Sequence, residues 1–386
     1  MGGHRTSMER IPHVELLRAM ATVGIFVFHL WSVVPLSAHG GLFGPVLARL
    51  PLLGTLGVIV FNLITGFVLS MPYLGPQHRR PLPTAPDFWR RRFSRICLHY
   101  YPALLLWTLL WIIAPAWIVR SEPDQSPLQV LQAFVTHLLF VHTLSASTFF
   151  AIVPAFWWLG LLAQFYLVFP WLVRVFVGQG PGWACLEMCV CSWVLWTGLI
   201  YVAQQDAGSR MAMVEYLAYF NLPVRLPEFA IGMWLASAWT RQWPIIGAPR
   251  QEAGQPPLIA VTLGPLLVGV VLFALLDPAV PARLASPFGH IYLVGWCVLG
   301  VLAVRRWSGA AWLGGGRPIL QLAAASYSIY LLHQPLLGAT ERWLPGTFSP
   351  PTRFVVLLVA VGVLCYEVAL VLDHLATRLA RAWFGN

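Results

Sequence analysis

Ten stretches of about 20 apolar residues run through this chain of 386 residues, and few charged side chains interrupt them. A helix of about 20 residues crosses the ~30 Å hydrocarbon core of a bilayer. Because no water reaches the backbone there, each stretch must form a helix that satisfies its own polar groups. The sequence therefore predicts an all-α, polytopic membrane protein with about ten transmembrane helices. The predicted spans are 14–36, 50–73, 98–119, 152–177, 182–203, 220–240, 257–276, 288–304, 319–341 and 353–376.

The composition agrees with a chain that has lipid as its main solvent. Hydrophobic residues make up 58% of it and charged residues only 10%, against about 25% charged residues in a typical soluble domain. This excludes a disordered chain and an ordinary soluble enzyme. All 24 basic residues are arginine, which excludes a lysine base, Schiff-base chemistry and a P-loop.

Neither nucleic acid nor a metal ion is predicted as a partner. The net charge of +10 comes from arginines beside long apolar runs, not from a basic face with interleaved aromatic residues. The six cysteines lie in apolar surroundings and lack the spacing of zinc ligands or of a disulfide framework. They are predicted to be small buried side chains.

The arginine distribution predicts the orientation in the membrane. With ten spans and a cytoplasmic N-terminus, 16 arginines fall in cytoplasmic segments and six in outer segments, as the positive-inside rule requires. Letting the weakly apolar stretch 128–149 cross would place Arg305, Arg306 and Arg317 outside. We therefore predict that 128–149 lies at the outer interface or is partly re-entrant, and that both termini face the cytoplasm.

A single membrane-embedded domain, 1–386, is the predicted organisation, in the cytoplasmic membrane. Short cytoplasmic tails are expected at 1–13 and 377–386, an outer interfacial segment at about 121–151, and no fused soluble domain. The first span is predicted to remain as a helix, because it is longer than a signal peptide and carries Arg18 and His29.

The first span contains three ionisable residues, although a charge at the bilayer centre costs about 2.5–3.5 kcal/mol. Arg18 and His29 are 11 residues apart, about three helical turns, so they share a face with an axial offset of about 16 Å. Glu15 lies one turn before Arg18 and can pair with it. One interpretation is that Arg18 binds an anion and His29, near mid-membrane, is a base. The other is a core histidine and an arginine that reaches lipid headgroups.

A second arginine cluster, 90–95, adjoins the cytoplasmic start of the third span. Arg92 and Arg95 are three residues apart and therefore share a helical face. Guanidinium groups bind phosphate in a bidentate manner. A topology signal with lipid-headgroup contact explains such a cluster equally well, so both interpretations stay open.

Polar residues in the later spans also have two interpretations each. Arg225 and Glu228 are three apart and can neutralise each other in the membrane. His333 is either a second base or an interhelical hydrogen-bonding group. Gln164 and Tyr166 either position an acceptor or pack between helices.

The span that contains His333 also contains Ser326 and Tyr327. Tyr327 and His333 are six residues apart, so they do not share a helical face.

His137 and His142 lie in the outer segment, where contact with an acceptor is one interpretation.

Six blocks of this sequence resemble, in the same order, those of the acyltransferase 3 family of integral-membrane acyltransferases. The first is Glu15-Leu16-Leu17-Arg18 followed by ten residues and His29. The others are 57–70 with Thr65-Gly66-Phe67, Arg92-Phe93-Ser94-Arg95-Ile96, Phe156-Trp157-Trp158-Leu159 with Gln164-Phe165-Tyr166, Arg225-Leu226-Pro227-Glu228-Phe229 with Gly232, and 326–335.

The resemblance implies acyl transfer from cytosolic acyl-CoA to a hydroxyl of a glycan or glycosylated compound. Acetyl-CoA is the leading candidate for the donor. It implies that Arg18 and His29 are essential and that Arg92 and Arg95 bind the donor. Acyl-CoA is then a co-substrate, and no bound cofactor is expected. Glu15, Gln164, Tyr166, Arg225, Glu228, Ser326, Tyr327 and His333 are the supporting or acceptor-positioning candidates. A partner protein of envelope biosynthesis is also considered.

This chain departs from the family pattern at two carboxylates. Leu162 stands where the family usually has a glutamate, and Ile59 stands where it often has an aspartate. Glu15 replaces the usual aspartate of the first block and keeps its charge. Two missing carboxylates suggest a more apolar acceptor cavity.

The acceptor and the protein class have alternatives. A surface polysaccharide or lipid-linked sugar is the leading acceptor, and a sugar on a secreted small molecule is the second. A transporter or flippase for an envelope-glycan precursor is an alternative class, since intramembrane arginine and histidine also mark transport pathways. The lack of visible internal repeats argues against it. A non-catalytic assembly subunit is the third.

Overall fold

The computed structural model describes residues 11–36, 44–74, 80–114, 126–205, 219–241 and 287–384, and within these ranges it contains helices and no strand. Nine long helices and two shorter ones carry the fold. They are α1 Pro12–Val33, α2 Leu52–Ser70, α3 Ala85–Ile113, α4 Pro127–Leu138, α5 Trp157–Gln179, α6 Pro181–Gln205, α7 Leu222–Thr240, α8 Pro287–Arg306, α9 Ser308–Gly315, α10 Arg317–Trp343 and α11 Pro350–Phe384.

These long helices confirm an all-α, multi-pass membrane protein. Six are long and apolar enough to cross a bilayer, and a seventh span results if α8 and α9, bent by 89°, are taken together. Nine of the ten predicted stretches coincide with long helices, whereas 257–276 lies outside the described residues. Large apolar side chains such as Val194 (66% exposed) and Val359 (58%) face outward, as expected of lipid-facing positions.

In the described part of the predicted interfacial segment, the longest helix is α4. α4 has 12 residues and spans about 18 Å, too little to cross ~30 Å of hydrocarbon. Ser126 and Gln129 form a capping box at its start, in which each side chain accepts a hydrogen bond from the backbone of the other. Residues 90–95 were predicted to precede the third span. They instead lie within its helix, because α3 begins at Ala85 and carries them on its first turns.

Prolines inside two helices create attachment points for α3. Pro335 lacks an N–H, so the carbonyl of Leu331 in α10 is free, and the Trp107 indole donates to it at 3.0 Å. In α5 the carbonyl four residues before Pro170 accepts the Trp89 indole at 3.0 Å in the same way. Such partners make proline tolerable in a membrane helix, and here they join α3 to α5 and α10.

Aromatic stacking joins α5 to α3 and α7. The Phe165 ring stacks on Phe229 of α7 with centroids 4.0 Å apart, and Phe169 stacks on Phe88 of α3 at 4.7 Å. All four side chains are nearly or fully buried. α5 thereby fixes the arginine-bearing helix α3 relative to α7.

Two glycines allow α2 and α7 to approach closely. A methyl group at Gly66 would lie closer than 3.0 Å to the carbonyl oxygen of Phe229, and one at Gly232 closer than 3.0 Å to that of Leu63. Small residues at such positions are typical of closely packed membrane helices.

We expect Gly232→Ala to destabilise the protein, because the added methyl group meets backbone that cannot rotate away. Overpacking of this kind costs about 1–3 kcal/mol. Thermal unfolding in detergent should show a lowered midpoint. Gly198→Ala is the matched control, since nothing lies within 4 Å of its added methyl group and alanine favours a helix by about 1 kcal/mol. A Gly232→Ala midpoint equal to that of Gly198→Ala would contradict the close approach.

Candidate active site

His29 of α1 and His333 of α10 are in direct contact. Nδ1 of His29 lies 3.0 Å from Nε2 of His333, and the rings meet edge to face with centroids 4.7 Å apart. His333 is 1% exposed, whereas His29 is half-buried. The contact joins residues 304 positions apart in the sequence.

The hydrogen bonds assign a tautomer to each ring. Nδ1 of His333 faces the carbonyls of Tyr330 at 2.9 Å and Ile329 at 3.2 Å, so it carries the proton and Nε2 is an acceptor. His29 must then donate from Nδ1, a proton it shares with the Ile25 carbonyl at 3.0 Å. Nε2 of His29 is left with a free lone pair, and among the described residues no group hydrogen-bonds to it. This is the arrangement that a general base needs.

Arg18 pairs with Glu15 one turn before it on α1, with 3.1 Å between guanidinium and carboxylate. The pairing predicted from the spacing is present. Both side chains are partly exposed, at 26% and 13%. Arg18 therefore keeps part of its surface accessible about 16 Å along the helix from His29.

Three arginines lie within electrostatic range of Tyr166 of α5. The positive charges of Arg92, Arg95 and Arg18 all act on its hydroxyl, so helices α1, α3 and α5 bring together residues from three sequence blocks. Arg92 is partly buried over the Phe88 ring, 5.7 Å from its centroid, and Arg95 is exposed. Within the described ranges no acidic side chain pairs with Arg92 or Arg95. We call these three arginines and Tyr166 the arginine cluster.

Gln164 is used inside the protein. Its carbonyl accepts the Leu222 amide at 2.9 Å, and its NH₂ group donates to Thr143 at 3.1 Å and to Asn221. These bonds tie α5 to the first turn of α7 and to the outer segment. Of its two interpretations, the geometry favours helix packing over direct contact with an acceptor.

Ser326 and Tyr327 lie apart from the histidine pair. The Tyr327 hydroxyl donates to the Ile96 carbonyl of α3 at 3.4 Å, and Ser326 is 6% exposed. Next to them Asp373 of α11 accepts the Ser328 hydroxyl at 2.6 Å and lies 3.3 Å from Nε2 of His99. This group links α3, α10 and α11.

Arg225 and Glu228 form a pair, as predicted, inside a larger buried network. Their charged groups are 2.5 Å apart, with side chains 2% and 0% exposed. The same carboxylate accepts Nε2 of His290 at 2.7 Å and the Asn62 amide. Nδ1 of His290 accepts the Trp193 indole at 3.4 Å, which extends the network to α6.

A chain of contacts connects this network to the histidine pair. The Asn62 carbonyl oxygen accepts the Trp158 indole at 2.8 Å. The Trp158 ring meets Tyr330 edge to face at 5.4 Å, and Tyr330 lies 5.8 Å from the His333 ring. The buried network around Glu228 is therefore linked to the candidate base His29 and its partner His333 by continuous side-chain packing.

His137 and His142 are packed against each other and are both fully buried. Their rings are parallel, with centroids 3.9 Å apart. His137 donates from Nδ1 to Ala133, and His142 from Nε2 to Phe156. In this geometry neither side chain is accessible to an acceptor.

Acidification should loosen the outer segment. Burial lowers the pKa of His142 from 6.5 to about 4, and burial together with His142 holds the pKa of His137 well below its usual value. Between pH 6.5 and 4 the unfolded imidazole binds a proton that the folded one does not, so stability falls with falling pH. For His142 the loss reaches about 3 kcal/mol at pH 4.

Hydrogen exchange measures this effect directly. We expect residues 126–156 to exchange faster at pH 4.5 than at pH 7, after correction for intrinsic rates. His142→Phe should reduce the difference, whereas His374→Phe, at an exposed position, should not. Equal protection at both pH values would contradict the buried neutral pair.

The two positions that lack carboxylates lie in the apolar core. Leu162 is 4% exposed and Ile59 is 0% exposed. Ile59 packs with Leu63, Leu293 and Cys297. The apolar side chains thus have apolar neighbours, and the nearby buried carboxylate is Glu228, whose partner Asn62 lies one turn from Ile59.

Sequence reasoning missed His290, Asn62, His99 and Asp373. All four lie within predicted spans, where every polar side chain requires a partner. Applying that rule to each span would have selected them. It would not have shown which partners they have.

The sequence model of an acyltransferase domain family matches residues 11–370. The match covers α1 to most of α11 and includes every candidate residue predicted from the sequence, whereas Asp373 lies just beyond it. The chain belongs to the acyltransferase 3 family. It is therefore a multi-pass membrane protein of that family.

Curated relatives match most of this chain. It is 22% identical over 338 residues to O-acetyltransferase OatA of Staphylococcus aureus and 23% identical over 356 residues to peptidoglycan O-acetyltransferase OatA of Listeria monocytogenes. These alignments cover 85% and 87% of the chain but 50% and 51% of the relatives, so the chain spans about half their length.

A third relative matches along its length. The chain is 28% identical over 389 residues to acyltransferase MdmB of Streptomyces mycarofaciens, covering 88% of the chain and 95% of the relative. No solved structure matches the chain.

Proposed function

We propose that this protein is an O-acetyltransferase of the cytoplasmic membrane that moves an acetyl group from cytosolic acetyl-CoA to a sugar hydroxyl of a cell-envelope polysaccharide. The observation that carries the proposal is the free Nε2 of His29, on an imidazole whose Nδ1 is held by His333. The names of the OatA relatives support the acetyl group and the envelope acceptor.

His29 would act as the general base. Its Nε2 takes the proton of the acceptor hydroxyl while the oxygen attacks the thioester carbonyl. The carbon–sulfur bond breaks, the ester forms, and the proton passes from His29 to the departing CoA thiolate. His333 positions the ring and, through its acceptor Nε2, stabilises the imidazolium that forms in this step.

The arginine cluster would bind the donor. Its guanidinium groups suit the phosphates of CoA, which arginine binds through charge-assisted, bidentate hydrogen bonds. From Arg18 the chain of α1 leads to His29 over about 16 Å, which gives the pantetheine arm a course along the helix. This arrangement delivers the thioester to the base.

The proposal is tested with purified protein in lipid vesicles and radiolabelled acetyl-CoA. We expect release of free CoA that depends on an added envelope glycan, together with label on the glycan. Movement of the glycan across the vesicle membrane without release of CoA would identify a transporter instead.

Arg92→Gln and Arg95→Gln should each raise the KM for acetyl-CoA about tenfold or more, since a hydrogen bond to a charged group contributes about 1.5–3 kcal/mol. The matched control is Arg90→Gln on the same helix, because Arg90 is 77% exposed and lies 3.8 Å from Asp87. An unchanged KM in the first two variants would remove the arginine cluster from the donor site.

A sugar on a secreted small molecule is the second candidate acceptor. The observation that leaves room for it is the match along nearly the whole Streptomyces acyltransferase, whose name, unlike that of the Listeria relative, does not specify peptidoglycan. Offering both acceptor classes in the same CoA-release assay distinguishes the two.

A further inference from the structure

An apolar cleft opens between helices α1, α2, α7 and α8 at the end of the bundle that the arginine distribution assigns to the cytoplasm. It bounds about 510 Å³ of space, a figure that includes its open mouth. Nine of its eleven lining side chains are aliphatic or aromatic, and the other two are His13 and Arg305. The α1 residues in its wall lie roughly 100° around the helix from Arg18 and His29.

Arg305 supplies a fixed positive charge at this cleft. Its guanidinium carbon lies 3.9 Å from the centroid of the Trp239 ring, in a cation–π contact. Its Nε is buried and has no hydrogen-bond partner among the described residues. In the ranges that the structure describes, no acidic side chain pairs with Arg305.

The surroundings of the cleft are those of a membrane interface. Trp239 is further held by His13 and Phe67, with ring centroids 6.4 and 5.7 Å away. α9 follows directly, bent by 89° from α8, and its Trp312 is 80% exposed. A short helix across the bundle end with an exposed tryptophan is typical of the headgroup region.

We propose that this cleft binds one anionic phospholipid of the cytoplasmic leaflet, with an acyl chain against the apolar walls and the headgroup phosphate on Arg305. Only an amphiphile with both parts satisfies the hydrocarbon walls and the unpartnered guanidinium edge together. Basic pockets between membrane helices on this side bind such headgroups. Phosphate oxygens can take two parallel N–H groups of one guanidinium.

Native mass spectrometry of the full-length protein, delipidated and then titrated with defined lipids, tests the proposal. We expect the wild type to retain one phosphatidylglycerol in preference to phosphatidylcholine. Arg305→Gln should weaken this binding at least tenfold. Arg306→Gln, an exposed neighbour with the same change of charge, should not.

A second pair of variants tests the acyl-chain site without removing a charge. Leu302→Phe narrows the cleft and should also release the lipid, whereas Leu299→Phe, 52% exposed on the same helix, should retain it. Equal retention by Arg305→Gln and Arg306→Gln would overturn the proposal. So would equal binding of the two lipids, no binding because another part of this chain fills the cleft, or displacement of the lipid by equimolar palmitoyl-CoA, which would assign the cleft to the donor.

Discussion

Replacing His29 with alanine is expected to lower kcat by about 10²- to 10⁴-fold, the contribution of a well-placed general base. The free Nε2 is the only ring nitrogen of the His29–His333 pair without a hydrogen-bond partner among the described residues. Because the arginine cluster, which includes Arg18, stays in place, the KM for acetyl-CoA should change little. Initial rates of CoA release in vesicles measure both constants. A kcat of His29→Ala equal to that of the wild type would contradict the proposed mechanism.

The effect of His333 should be smaller and different in kind. His333→Ala leaves Nδ1 of His29 with the Ile25 carbonyl as its acceptor, and the hydrogen bond of His333 to the imidazolium, which contributes about 1.5–3 kcal/mol for a charged group, is lost. We expect kcat to fall about 10- to 100-fold and the pH profile of kcat to shift, because the imidazolium loses its stabilising partner. His333→Gln retains a side-chain acceptor and should recover part of the rate. A purely structural role would lower stability and leave the pH profile unchanged.

Replacing Glu228 with glutamine is expected to destabilise the fold by about 3–5 kcal/mol. The substitution leaves the Arg225 guanidinium charged and uncompensated at 2% exposure, and breaking one side of a buried ion pair costs that much. His290 and Asn62 also lose a charged acceptor. Thermal unfolding in detergent should show the largest decrease in midpoint of any single substitution proposed for this protein.

Two comparisons separate a buried charge from a lost contact. Glu341→Gln breaks a 2.8 Å pair with Arg353, but both side chains are about 25% exposed, so about 1 kcal/mol or less is expected. The double variant Arg225→Met/Glu228→Leu removes both buried charges and should recover much of the stability lost in Glu228→Gln. A Glu228→Gln variant as stable as Glu341→Gln would contradict the buried network.

Local spacing predicted part of the candidate site. Residues three or four apart on a helix are neighbours, and the Glu15–Arg18 and Arg225–Glu228 pairs both form as that rule requires. The long apolar runs predicted the helices for the same reason, because the bilayer permits little else.

Contacts between distant elements could not be predicted. Glu228 has His290 of α8 as a further partner, a choice that depends on which helices pack side by side. Likewise, the spacing left His29 open between a base and a hydrogen-bonded core residue. The structure shows that the ring does hydrogen-bond a neighbouring helix, through Nδ1, while Nε2 stays free for a proton.

The sequence by itself determined that this protein crosses the membrane many times, which ionisable residues lie within its membrane spans, and which family it resembles. These properties follow from hydropathy, helical periodicity and short motifs, all of which are local in the chain. Only the tertiary structure decided that α10 supplies the partner of His29, that three helices gather the arginine cluster, and that Arg305 stands over an apolar cleft. Each of these depends on side-chain packing between helices far apart in sequence, where direction and distance are set by the whole bundle.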